Sequence, residues 1–124
     1  MGIILLSIRK QYCEQIFSGV KKYEFRKKAP VSNIDKILVY ESHGCGKIVG
    51  EIIIEDILYG SVNEIWELTN KDAGIDSESF SKYYEGHSHA IAYKISDFTK
   101  YENPITLSSF GISSAPQNYM WVER

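Results

Sequence analysis

Residues 18–29, Ser-Gly-Val-Lys-Lys-Tyr-Glu-Phe-Arg-Lys-Lys-Ala, constrain the fold more than any other stretch of this chain. Gly19 reads as a helix stop, because glycine takes the left-handed cap conformation without the steric cost of a Cβ. The residues after it alternate, with Tyr23 and Phe25 on one side and Lys22, Glu24 and Arg26 on the other. This is the pattern of a half-buried strand carrying two aromatics beneath and a row of charges above. Such a row is often a solvated face that contributes little to stability. Here it either meets bulk water or lines a cleft, and the rest of the chain favours the cleft.

Ahead of this stretch, residues 2–8 form a near-continuous apolar run broken by Ser7, as expected of a strand covered on both faces. Residues 9–18 place Tyr12, Cys13, Ile16 and Phe17 on one helical stripe. The chain therefore opens strand–helix–strand. Pro30, Ser32 and Asn33 predict a turn, and residues 36–42 predict a central strand, apolar on both faces. Residues 48–59 are long and β-branched, with Gly50 marking a bulge or a close backbone approach. Ser61 and Glu64 have the spacing of a capping box, opening a helix that carries Ile65, Trp66 and Leu68. Asp76 or Ser77 caps another short helix, with Phe80, Tyr83 and Tyr84 on its apolar side and Gly86 as its stop. Residues 89–98 alternate as a strand, Ile105 and Leu107 extend pairing at an edge beyond Pro104, residues 108–117 form a loop, and 119–122 a last strand.

Five to seven strands and about three short helices result. Strands do not alternate regularly with long helices, which argues against a doubly wound sheet. The expected fold is α+β and mainly β, a small mixed or antiparallel barrel with helical insertions. The length suits a single domain over residues 1–124. No apolar run approaches the ~20 residues of a membrane span, and the opening run is too short for a secretory signal. A cytoplasmic protein with no membrane association is expected, its two cysteines, Cys13 and Cys45, reduced.

The net charge of −2 conceals an asymmetry. Arg9, Lys10, Lys21, Lys22, Arg26, Lys27 and Lys28 stand against Glu14 and Glu24 at the start, while acidic residues predominate in the rest. This excludes a protein that coats nucleic acid indiscriminately. It leaves a local basic patch, with Lys22, Lys27 and Lys28 as its supporting cations, suited to a small anion or a short piece of nucleic acid.

Lys21, Glu24 and Arg26 form the strongest candidate set. A carboxylate among cations accepts hydrogen bonds from the amino donor of a base edge such as that of cytosine or guanine, while the cations hold a phosphate or carbonyl. In an enzyme, Lys21 and Glu24 would be the acid–base pair. His43 with Cys45 and His87 with His89 lack the spacing of a zinc site and are read as solvated loop residues. No metal and no cofactor is expected. The segment of residues 42–47 lacks the GxxxxGK[ST] spacing of a phosphate loop. No G-x-S-x-G pattern surrounds Ser7 or Ser42. Trp66, Tyr83 and Tyr84 are assigned to the core, and core packing is also the expected fate of Tyr40, Tyr119 and Trp121.

The chain resembles the ASCH domain family of the PUA-like β-barrel superfamily. The resemblance rests on the run of residues 3–8 before a short helix, and on Gly19-x-Lys21-x-x-Glu24-x-Arg26. It extends through Val39-Tyr40-Glu41-Ser42 to Pro104, Ile105, Leu107, Phe110, Gly111, Ala115, Pro116 and Gln117. It implies a barrel with a cleft lined by Lys21, Glu24 and Arg26, with Ser42 and Gln117 near its rim. It further implies RNA, a nucleotide or a modified nucleoside as partner, or a role in transcription coactivation. One enzymatic branch, similar to acetylcytidine amidohydrolases, uses a Lys, a Thr and a Glu. Lys21 matches the lysine, Glu24 replaces the threonine that this activity requires, and no carboxylate matches the Glu, Asp72 being merely nearby. A small hydrolase acting on modified nucleosides or on RNA, and a protein-interaction module, are the alternative functions the sequence allows.

Overall fold

The computed structural model describes residues 2–122. Six strands and three α-helices follow in the order β1 (Gly2–Arg9), α1 (Lys10–Phe17), β2 (Tyr23–Arg26), β3 (Ile34–Ser42), β4 (Ile48–Ser61), α2 (Val62–Thr69), α3 (Ser77–Tyr83), β5 (His89–Ile105) and β6 (Met120–Val122). Short 3₁₀ turns occupy Asn70–Asp72 and Leu107–Phe110. The strands form one sheet in the order β2-β5-β4-β3-β1-β6, curled into a half-barrel, so that β2 and β6 are its free edges. Only β1 and β3 pair in parallel, joined through the crossover of α1 and β2; the other neighbours are antiparallel. The expected mainly-β, mixed barrel is observed as a half-barrel.

Side-chain alternation divides the interior. Ile4, Leu6 and Ile8 of β1 join Ile37, Val39, Ile52, Ile91 and Tyr93 beneath α1, whose Cys13 and Ile16 are buried there. Leu5 and Leu38 point to the opposite face, covered by Ile105, Leu107, Ile112 and Met120. Each fully buried aliphatic side chain stabilises by roughly 1.5–3 kcal/mol, and β1 has them on both faces. A third cluster packs α2 and α3 over β2 and β5 through Ile65, Phe80, Tyr84, Phe25, Ala90 and Ala92.

Two glycines sit where the backbone leaves no room for a Cβ or takes a positive φ. Gly19 (φ 84°) ends α1 with a Schellman pair: its N–H donates to Ile16 O, and the Val20 N–H to Gln15 O. Gly50 lies at a register shift in β4, where a Cβ would stand 2.4 Å from Thr99 O and 2.6 Å from the Phe17 ring. Both the bulge and the close approach expected there are present. Ser61 and Glu64 form the complete capping box of α2, and Asp76 caps α3.

Two expectations are corrected. β5 does not stop at Phe98 but runs to Ile105, and Leu107 belongs to a 3₁₀ turn. The second half of β5 is mostly exposed, so its burial pattern gives no strand signal; backbone pairing with β4 sustains it, and Pro104 sits in an irregular stretch where Lys100 faces Gly50 and Ile105 faces Ile48. Leu68 is 64% exposed and takes no part in the core, because α2 rests on its Ile65 face. No described helix is long and apolar enough to cross a membrane.

Candidate functional site

Alternation along β2 decides what enters the half-barrel. Tyr23 and Phe25 pack outward under α3, with their rings stacked at 6.3 Å and Phe25 edge-on to Phe80. Glu24 and Arg26 consequently face inward at the open seam, where a cleft of about 700 Å³ opens. Lys21, Glu24, Arg26, Ser42 and Gln117 all line it, and so do Lys27 and Lys28. Lys22 is exposed and does not line it, because β2 starts only at Tyr23 and the backbone of Lys22 is tied to Asp72 and Ile95.

Arg26 closes the seam. Its Nη1 donates to Ser7 O at 3.2 Å and to Glu24 Oε2 at 3.3 Å, and its Nη2 donates to Asn118 O at 2.8 Å. One guanidinium thus ties the β2 edge of the sheet to β1 and to the segment leading into β6. Ser7 Oγ donates to Pro116 O at 2.8 Å and anchors the same segment. Tyr84, buried beneath β2, fixes its backbone by donating to Arg26 O at 2.8 Å.

Lys21 reaches the cleft from the bend before β2, although strict alternation would place it with the aromatics. Its Nζ donates to Ala73 O at 2.7 Å and lies 5.0 Å and 4.9 Å from the ring centroids of Tyr12 and Phe25. The residue is 4% exposed. Burial pulls its pKa below the ordinary lysine value, and the charge of Glu24 partly restores it. Gly74 (φ 69°) makes this approach possible, since a Cβ there would stand 2.7 Å from the Lys21 side chain. Glu24 is 6% exposed, and among the described residues its carboxylate has Arg26 as its only hydrogen-bond partner.

Several lining residues lie outside the sequence-derived set. Arg9 and Tyr12, one turn apart at the start of α1, join the wall, as do His43, Tyr83 and Asn118. His43 is exposed on the β3–β4 turn, as expected, and at φ 58° it also lines the cleft, with Nδ1 3.4 Å from Ser42 Oγ. Tyr83 is half-buried and forms wall as well as core. Lys27 Nζ lies 4.4 Å above its ring, and burial raises the pKa of its phenol. The i, i+3 spacing of Arg9 and Tyr12 was a usable signal, whereas His43 and Tyr83 carried none. Tyr40 and Tyr119 pack in the clusters, and Trp121 is half exposed on β6, outside this cleft. Among the described residues no group of three or more His, Cys, Asp or Glu side chains could hold a metal ion.

Comparison with known proteins places this geometry in context. A family model described as the ASCH domain matches residues 6–105. An ASCH domain-containing ribonuclease of Zymomonas mobilis is 26% identical over 97% of this chain and 84% of its own length. Large ribosomal subunit protein uL22 of Ureaplasma parvum is 27% identical over 97% of the chain, and the ATP synthase subunit alpha of the same species is 31% identical over the same share. The chain spans 39% and 15% of the lengths of those two proteins. Among solved structures, ASCH from Zymomonas mobilis superposes with a TM-score of 0.89 at 24% identity, covering 99% of this chain and 89% of that one. The N-terminal domain of Staphylothermus marinus McrB gives 0.54 at 18% identity, covering 86% and 77%. At these identities the likeness to solved structures establishes the fold alone.

Proposed function

This chain belongs to the ASCH domain family, and we propose that it binds single-stranded RNA, seating one nucleotide in the cleft at the half-barrel seam. The observation that carries the reading is the distribution of charge. Arg9, Lys21, Arg26, Lys27 and Lys28 surround a single carboxylate, Glu24, in a chain whose net charge is −2. Tyr12 and Tyr83, both half-buried, add flat walls against which a base can stack. A volume of about 700 Å³ accommodates one nucleotide and excludes a duplex. Of the cations inside, Arg26 is committed to carbonyls and Lys21 gives one N–H to Ala73 O, so the more exposed Arg9, Lys27 and Lys28 take the phosphates.

The test is fluorescence anisotropy with a labelled five-nucleotide RNA. Replacing Lys27 and Lys28 together by Ala weakens binding about tenfold or more. Binding falls with salt on a shallow log–log slope of about −2, as expected if three cations neutralise phosphates of a single strand. Unchanged affinity in the double variant would place the contact surface elsewhere.

The same cleft supports a second reading, cleavage of the bound RNA. It is favoured by Lys21, whose pKa burial lowers, lining the same cavity as the imidazole of His43. The relative named as a ribonuclease points the same way. Gel analysis of unlabelled RNA incubated with the wild type and with His43→Ala decides it. Cleavage by the wild type that is lost in the variant supports turnover, and intact RNA with both leaves a binding module.

A further inference from the structure

We propose that the base selected by this cleft is guanine, read by Glu24 through N1–H and the 2-amino group and by Lys21 through O6. The inference rests on the RNA-binding reading above and extends it to the identity of the base.

Glu24 is a mostly buried carboxylate on the cleft wall with one protein donor among the described residues. Its one contact, Arg26 Nη1 to Oε2, is stretched to 3.3 Å, and no other described donor reaches it. The other carboxylate oxygen has no described protein donor and is not sealed from solvent, so an entering ligand can replace water there with its own donors. Lys21 is short of acceptors. One N–H of its ammonium goes to Ala73 O, and its other neighbours are the ring faces of Tyr12 and Phe25. Lys21 and Glu24 sense each other's charge but form no ion pair within 4.0 Å, and both line the cleft. The site therefore presents an ionised acceptor with a charged donor beside it, between aromatic walls.

Guanine is the base that answers this pattern. Its Watson–Crick edge offers two adjacent donors, N1–H and N2–H, followed by the O6 acceptor. Adenine and cytosine offer one amino donor next to a ring-nitrogen acceptor, which would set a lone pair against the carboxylate. Uracil offers one N–H flanked by two carbonyls. An arginine side chain also presents paired donors, but it would bring a cation among Arg9, Lys21, Arg26, Lys27 and Lys28. A neutral base whose phosphates lie toward Lys27 and Lys28 meets no such repulsion.

The experiment measures anisotropy with five RNAs, UUXUU, in which X is guanine, hypoxanthine, adenine, cytosine or uracil. Hypoxanthine is guanine without the 2-amino group, so this comparison requires no protein variant. Guanine is expected to bind about tenfold or more tighter than each of the others. Glu24→Gln, verified as folded by circular dichroism, is expected to lose the discrimination between guanine and hypoxanthine. Equal affinity for guanine and hypoxanthine, or tighter binding of any other base, overturns the guanine assignment while RNA binding stands. Failure of all five RNAs to bind removes both readings.

Discussion

Replacing Arg26 by Met tests whether this guanidinium clasps the half-barrel. The substitution keeps most of the aliphatic stem but deletes the hydrogen bonds to Ser7 O, Asn118 O and Glu24. The Arg26 side chain is 13% exposed and that of Glu24 is 7%, so water only partly replaces what is lost. Truncating one partner of a fully buried pair costs about 3–5 kcal/mol, because a charge is stranded. With long Nη1 contacts and a partly open cleft, about 2–4 kcal/mol is expected here. In a chain of this size that corresponds to a fall in Tm of roughly 10 °C. The loss also has a location. Amide exchange should accelerate in β6 and at the end of β1, which Arg26 holds against β2, while β3 and β4 keep their protection. Replacing Glu24 as well, by Gln, should recover part of the loss, since the stranded charge is then removed. An unchanged Tm together with unchanged exchange in β6 would refute the clasp and leave Arg26 as a cleft residue only.

Two further outcomes follow from buried titrating groups. Lys21→Met should leave RNA binding impaired but the fold intact. Because the folded-state pKa of Lys21 is lowered, the unfolded chain binds more protons between that value and 10.5, so wild-type stability rises relative to the variant as pH climbs through this window. Urea midpoints at pH 7 and pH 10 would measure the change, and an unaltered difference between the two proteins would contradict it. Cys13 behaves oppositely: burial pushes its thiol up from 9.0 to about 12, so the stabilisation is complete below pH 9 and is lost as pH rises toward 12. Wild type compared with Cys13→Ala should lose stability across that range at up to ~1.4 kcal/mol per pH unit, and parallel pH profiles would refute this.

The sequence by itself determined the local pieces. The stop at Gly19, the capping box of Ser61 and Glu64, and the two-faced burial of β1 all depend on contacts within a few residues or on a strict period, and each is present. The same period sent Glu24 and Arg26 inward by placing Tyr23 and Phe25 beneath α3. Only the tertiary structure decided what those inward groups meet. Arg26 bonds Asn118, 92 residues away, because the sheet curls until its two edges approach, and curvature is summed over six strands rather than written in any one of them. Lys21 enters the cleft from a non-periodic bend because Gly74 admits it and Ala73 O receives it, from a loop 52 residues later. Arg9, His43 and Tyr83 complete the wall for the same reason: a helix start, a hairpin turn and a helix end meet at the seam, and side chains so distant in sequence leave no shared periodicity to read.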